Sequence, residues 1–152
     1  MGVVRGLLRN GWSDVQVVAV ETAGADSLHQ CVVQKQHITL PGIRSVAKSL
    51  GAVQVCRAAY ELVSSPNPPV VVRPMVVLDS EALEALGLFR ACPSSAGRLV
   101  EPACAASLAV LMRSDLLQER DKIVVVIVCG GNAISDDLLA FYRANCFMPN
   151  NE

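Results

Sequence analysis

Two rhythms of apolar and polar positions share this chain. Short runs of β-branched residues recur, and between them lie stretches whose apolar positions fall three and four apart. The first rhythm marks strands and the second amphipathic helices. Gly2 to Arg9 carries Val3, Val4, Leu7 and Leu8 in helical spacing, and Asn10-Gly11 ends it. VQVVAV, Val15 to Val20, predicts a strand, followed by a helix from about Asp26 to Gln34. Gln36 to Gly42 reads as a loop or short strand closed by Pro41-Gly42, and Val46 to Leu50 as about one helical turn. A helix is expected from Gln54 to Val63, a loop over SSPNPP from Ser64 to Pro69, and a short strand from Val76 to Leu78. Asp79 or Ser80 then caps a helix reaching about Ala91, with Leu83, Leu86 and Leu88 apolar. A turn follows over Pro93 to Gly97. Leu99 and Val100 begin a strand-like piece ending at Glu101-Pro102, Ala103 to Met112 forms a small-residue helix, and Arg113 to Lys122 is a polar connection. A last helix is expected from Ser135, as N-cap, to about Ala144.

The strongest strand pattern is IVVVIVCGGN, Ile123 to Asn132. Its apolar part does not alternate, which predicts a parallel strand covered on both faces. Cys129, Gly130, Gly131 and Asn132 then turn the chain, and glycine permits both positive φ and close approach of a ligand. Strands alternating with helices predict an α/β fold: three layers, a mostly parallel sheet flanked by helices, in a single domain.

Composition narrows the function classes. Of the 152 residues, 52% are hydrophobic and 18% charged, an apolar balance that implies a surface meeting a partner or a further segment. The net charge of -1 and the 4% aromatic content predict no nucleic-acid interface, neither a basic stripe nor a stacking platform. No stretch reaches the roughly 20 apolar residues of a membrane span, and the start shows no signal-peptide pattern. The six cysteines form no CxxC pair, so reduced thiols and a cytoplasmic location are expected, with no zinc site at His29 or His37.

Candidate chemistry gathers at strand ends. Glu21, Glu101 and Cys129 each follow a predicted strand, and parallel strands would open all three on one edge, where α/β sheets bind ligands. Each also has a plain structural reading. Glu21 could receive the N–H groups of the next helix. Glu101 could cap the helix that Pro102 starts. On local pattern Cys129 reads as a small buried hydrophobe.

GVVRGL at Gly2, GW at Gly11, VVAVETAGADS at Val17, LPGIRSVAKSLG at Leu40, LVEPACAASLA at Leu99 and VVIVCGGNAIS at Val125 stand in an order that resembles the catabolic L-serine/L-threonine dehydratases. These are pyridoxal-phosphate (PLP) enzymes of the tryptophan-synthase-β-like fold. The resemblance implies that residues 1–152 form the C-terminal part of the PLP-binding large domain, without the N-terminal half of the family fold. It implies β-elimination of L-serine to pyruvate and ammonia, and of L-threonine to 2-oxobutanoate and ammonia, in a cytoplasmic enzyme whose relatives are often homodimers. Cys129 matches the position facing the PLP ring nitrogen, where many relatives carry serine. Gly130 and Gly131 would lie against the ring, and Ser49 beside ring and substrate, where the family often has alanine. Glu21, Ala25 and Ser27, with backbone oxygens of Leu50 and Ala52, match a monovalent-cation site suited to potassium. Lys35, Lys48 and Lys122 do not stand in the family's Schiff-base lysine motif, so the chain alone is expected to lack dehydratase activity. The alternative is a non-catalytic role, pairing with a full-length homologue or a complementary half.

Overall fold

Two strands pair in parallel at the centre of the computed structural model, which describes residues 1–113 and 123–146. Strand β1 is Val17–Thr22 and β2 is Val72–Val77, in register from Val17 opposite Val72 to Thr22 opposite Val77. Both strands lie a little off the expected positions. Pro74 sits inside β2 opposite Ala19. Proline is tolerated on an edge strand, and β1 is the strand's hydrogen-bonded neighbour among the described residues.

Helices flank this sheet. Helix α1 (Gly2–Arg9) precedes β1, and α2 (Ser27–Gln34) and α3 (Arg57–Ser64) lie in the crossover to β2. Helix α4 (Asp79–Ala91) follows β2, then α5 (Pro102–Ala109) and α6 (Asp136–Cys146). Single 3-10 turns occur at Lys48–Leu50, Pro93–Ser95 and Val110–Met112. The α/β class with helices around a parallel sheet is as expected, and the helices stand within a few residues of their predicted ends.

The core forms where α5 lies on α4 and β1. Alanines make the close approach possible: Ala105, Ala106 and Ala109 of α5 are buried, as are Ala82 and Ala85 of α4. Val77, at the end of β2, and Val110 complete one cluster, and Val20 and Met75 pack against it. Leu83, Leu86, Val100, Cys104 and Leu139 form the second, which seats α6 on α4. Leu88 does not join them; it faces outward. Ser135 caps α6 as predicted, its Oγ accepting the Leu138 amide at 3.2 Å. The α4 cap differs. Asp79 begins the helix and turns its carboxylate elsewhere, while Glu81 accepts the Leu78 amide at 2.6 Å.

The expected central strand is the main correction. Residues 123–128 belong to no strand, and Ile123 is 96% and Val125 83% exposed. Leu99 and Val100 are not a strand either, although Val100 is buried. An apolar run records what a segment can bury. A strand also needs a neighbouring backbone, and none among the described residues pairs with this one. The polar connection falls at its Arg113 end on described residues and otherwise outside them, together with Lys122.

Candidate active site

Glu101 is the hub of the site. Its backbone is the N-cap of α5, and Pro102 stands at the first helical position, where the missing N–H costs nothing. The carboxylate makes no cap bond to its own helix. It reaches instead to two other segments. Oε2 accepts the Ser49 hydroxyl at 2.7 Å, and Oε1 accepts the Gly131 and Ala133 amides, each at 3.2 Å. These donors hold the carboxyl below the ordinary carboxylate range, with the Ser49 hydroxyl the largest cause.

The glycines explain why this loop can bend round a carboxylate. Gly130 has φ +78 and Gly131 φ +124, conformations that L side chains rarely adopt. A Cβ on Gly131 would stand 2.5 Å from the Leu99 carbonyl oxygen, and one on Gly130 3.3 Å from the Glu101 carboxyl carbon. The loop therefore lies against residues 99–101, with no room for a side chain at Gly131 and a tight fit against the Glu101 carboxylate at Gly130.

The loop bearing Ser49 is fixed from its other end by a buried network that runs across three elements. Thr22 Oγ1 and Ser45 Oγ are 2.7 Å apart, and the Ser45 hydroxyl donates to Asp79 Oδ1 at 2.6 Å. Asp79 Oδ2 accepts the Val46 amide at 2.9 Å, and Ser45 Oγ accepts the Ala47 amide at 2.9 Å. These contacts tie the end of β1, the loop and the start of α4 into one unit.

Between the two loops lies a cleft of about 350 Å³, lined by Ser49, Leu50, Glu101, Cys104, Cys129 and Gly130 among others. Cys129 is exposed here, not buried as its local pattern suggests. Its amide donates to the Cys104 Sγ at 3.1 Å, and burial pushes the Cys104 thiol up.

The structure thus brings Ser49, Glu101, Cys129 and Gly130 together, with Gly131 directly behind. Glu21 does not line the cleft. Its two carboxylate oxygens accept the Leu28 and His29 amides at 2.9 and 2.8 Å, the plain reading of that residue. Burial raises the Glu21 pKa, and these two amides oppose the shift. Ala25 and Ser27 lie buried at the same corner. Leu50 lines the cleft, and its carbonyl accepts the Ala52 amide at 2.8 Å. Sequence reasoning missed Cys104 as a cleft residue and Ser45 and Asp79 as supports. EPAC was the available signal for the first. The other two carried none, because their partners are remote in the chain.

The sequence model described as "Pyridoxal-phosphate dependent enzyme" matches residues 1–130. The chain belongs to the pyridoxal-phosphate dependent enzyme family. It is 42% identical over 146 residues to a "Serine dehydratase-like" protein of Rattus norvegicus, covering 91% of this chain and 42% of that protein. It is 42% identical over 142 residues to an "L-serine dehydratase/L-threonine deaminase" of Bos taurus, covering 88% of this chain and 41% of that one. The fold is similar to that of a fungal L-serine ammonia-lyase from Rhizomucor miehei, with a TM-score of 0.80 and 31% identity over 95% of this chain and 45% of the other. The chain therefore spans about two fifths of the length of the curated relatives it matches.

For a member of this PLP-dependent family, the cleft fits the cofactor's flat ring. Two glycines without side chains back one wall, Leu50, Ala103 and Ile127 supply apolar surface, and the Cys129 and Ser49 side chains offer polar groups. No lysine lines this cleft among the described residues.

Proposed function

We propose that this chain supplies part of the cofactor-binding domain of a PLP-dependent ammonia-lyase acting on the small hydroxy amino acids L-serine and L-threonine. The observation that carries the reading is the cleft in which Glu101 binds both the Ser49 loop and the glycine loop, with Cys129 among its lining residues. The printed names of the relatives support the substrate class. When bound, PLP supplies an electron-withdrawing ring that eases loss of the α-proton and departure of the β-hydroxyl.

The chain's own residues have definite tasks in this reading. Cys129 would face the ring nitrogen. A thiol is a weaker acid than a carboxyl group, so it leaves that nitrogen largely unprotonated, which favours elimination over transamination. Gly130 and Gly131 let the backbone approach the ring edge. Ser49 donates its proton to Glu101, so its oxygen keeps lone pairs available toward the cleft. Glu21, Ala25 and Ser27, with the Leu50 and Ala52 carbonyls, are proposed to hold potassium. The Glu21 carboxylate spends two of its about four lone-pair sites on amides.

Titration of the purified chain with PLP, followed by absorbance, is the direct test. Saturable binding that weakens in C129A supports the reading, and equal binding by wild type and G131V overturns it. Pyruvate should not form from serine, because no lysine lines the described cleft. The same titration in potassium and in sodium tests the cation site; identical melting curves in the two salts would remove it.

The exposure of Ile123, Val125 and Ile127 favours a second reading, a non-catalytic role in which this run docks on a full-length homologue. Size-exclusion chromatography of a mixture with such a homologue decides it: separate elution at micromolar concentration rules the role out.

A further inference from the structure

Two thiols share the cleft, in contrasting settings. Cys104, in the first turn of α5, is 5% exposed, whereas Cys129 is open to solvent. The Cys129 amide donates to the Cys104 Sγ at 3.1 Å, so the backbone of one cysteine touches the sulfur of the other. Both residues line the cleft. The proximity is built in. Pro102 fixes the start of the helix carrying Cys104, and Glu101 clamps the loop that follows Cys129 through Gly131 and Ala133. Both cysteines are free thiols.

We propose that Cys104 and Cys129 are a paired oxidation site, converted by a hydroperoxide to a reversible disulfide across the cleft. Cys129 is the accessible member and reacts first. Its thiolate attacks hydrogen peroxide; the S–O bond forms, the O–O bond breaks and hydroxide leaves. The sulfur is oxidised to the sulfenic acid and the peroxide is reduced. Cys104 then attacks the Cys129 sulfur. The S–S bond forms, the S–O bond breaks, and the departing hydroxide takes the Cys104 proton as water. Two thiols and one peroxide give one disulfide and two waters. A dithiol reverses the step by exchange. The buried partner stops oxidation at the disulfide, before the irreversible sulfinic acid forms. The linked pair also loses the free Cys129 thiol from the cleft. The proposal goes beyond the ammonia-lyase reading and does not depend on it.

Peptide mapping tests it on the full chain. Arg113, Arg120 and Lys122 lie between the two cysteines, so trypsin places Cys104 on residues 99–113 and Cys129 on residues 123–143. The reduced chain is treated with equimolar hydrogen peroxide, alkylated and digested without reductant. The expected product is a cross-link between these two peptides that dithiothreitol removes, while the exposed Cys56 and Cys92 stay mostly alkylated. In C104S, given at least two equivalents of peroxide, Cys129 should proceed to sulfinic acid instead, while wild type under the same dose stops at the disulfide. The proposal is overturned if wild-type Cys129 reaches sulfinic acid as fast as it does in C104S, or if cross-links to Cys56 or Cys92 are as abundant. The wild-type map alone decides if the variant fails to fold.

Discussion

Glu101 shows how one side chain can organise a site without lying deep in the core. Its carboxylate gathers the Ser49 hydroxyl and two amides of the glycine loop, so removing it releases both walls of the cleft. E101A should cost about 1 kcal/mol, the worth of charge-assisted bonds discounted for solvent exposure, and calorimetric melting would measure it. The pH dependence has a definite sign. A carboxyl whose folded pKa is depressed stabilises the fold above its unfolded pKa and loses that contribution as pH falls through the folded value. Glu101 therefore contributes to acid unfolding below its ordinary value of 4.5, and E101Q should show a shallower loss of Tm in that range. Glu21 has the opposite sign: its pKa is raised, so its contribution is present below 4.5 and fades as pH rises through the folded value.

At the scale of elements, the loop between α2 and α3 is docked by Ser45, which contacts Thr22 on β1 and Asp79 on α4. S45A leaves Thr22 and the Ala47 amide short of a partner inside the protein, at a cost of about 1–3 kcal/mol. Urea unfolding should show that loss; an unchanged midpoint would mean that the network is not coupled to the fold. This level also shows what a sequence conveys. Helices declared themselves through local spacing and stop signals, and Ser135 through its position before a first turn with two aspartates. The small-residue pattern of α5 correctly implied close packing. Asp79 looked like a local cap because its long-range partner, Ser45, is invisible from the neighbouring residues. The motifs EPAC and VCGGN stand on two segments that meet in the structure: the glutamate of one accepts a hydrogen bond from a glycine amide of the other. Pairing of 123–128 could not be read from pattern, because pairing belongs to two segments and the sequence of one states only readiness.

For the whole molecule, the consequence lies in that apolar run. Helices flank β1 and β2, and none of the described residues forms a helix long and apolar enough to cross a membrane. Yet Ile123, Val125 and Ile127 stand in solvent. Surface of this kind promotes self-association. V125K should therefore reduce concentration-dependent light scattering while leaving Tm nearly unchanged, since Val125 is 83% exposed and its side chain is in no core cluster. A large fall in Tm would show instead that the run is packed in solution.

The Val46 amide has a further consequence, measured in time. Its hydrogen is held by Asp79, which approaches only when β2 has ended and α4 has begun beside the docked loop. Isotope exchange at that single position thus requires the crossover loop to lift away from α4. If the three segments open as one cooperative unit, Val46 and Ala47 should exchange with deuterium at the slow rate of the central strands, far more slowly than the neighbouring residues of the same loop. A hydrogen bond placed between segments distant in the chain would then act as a clock for the opening of the domain.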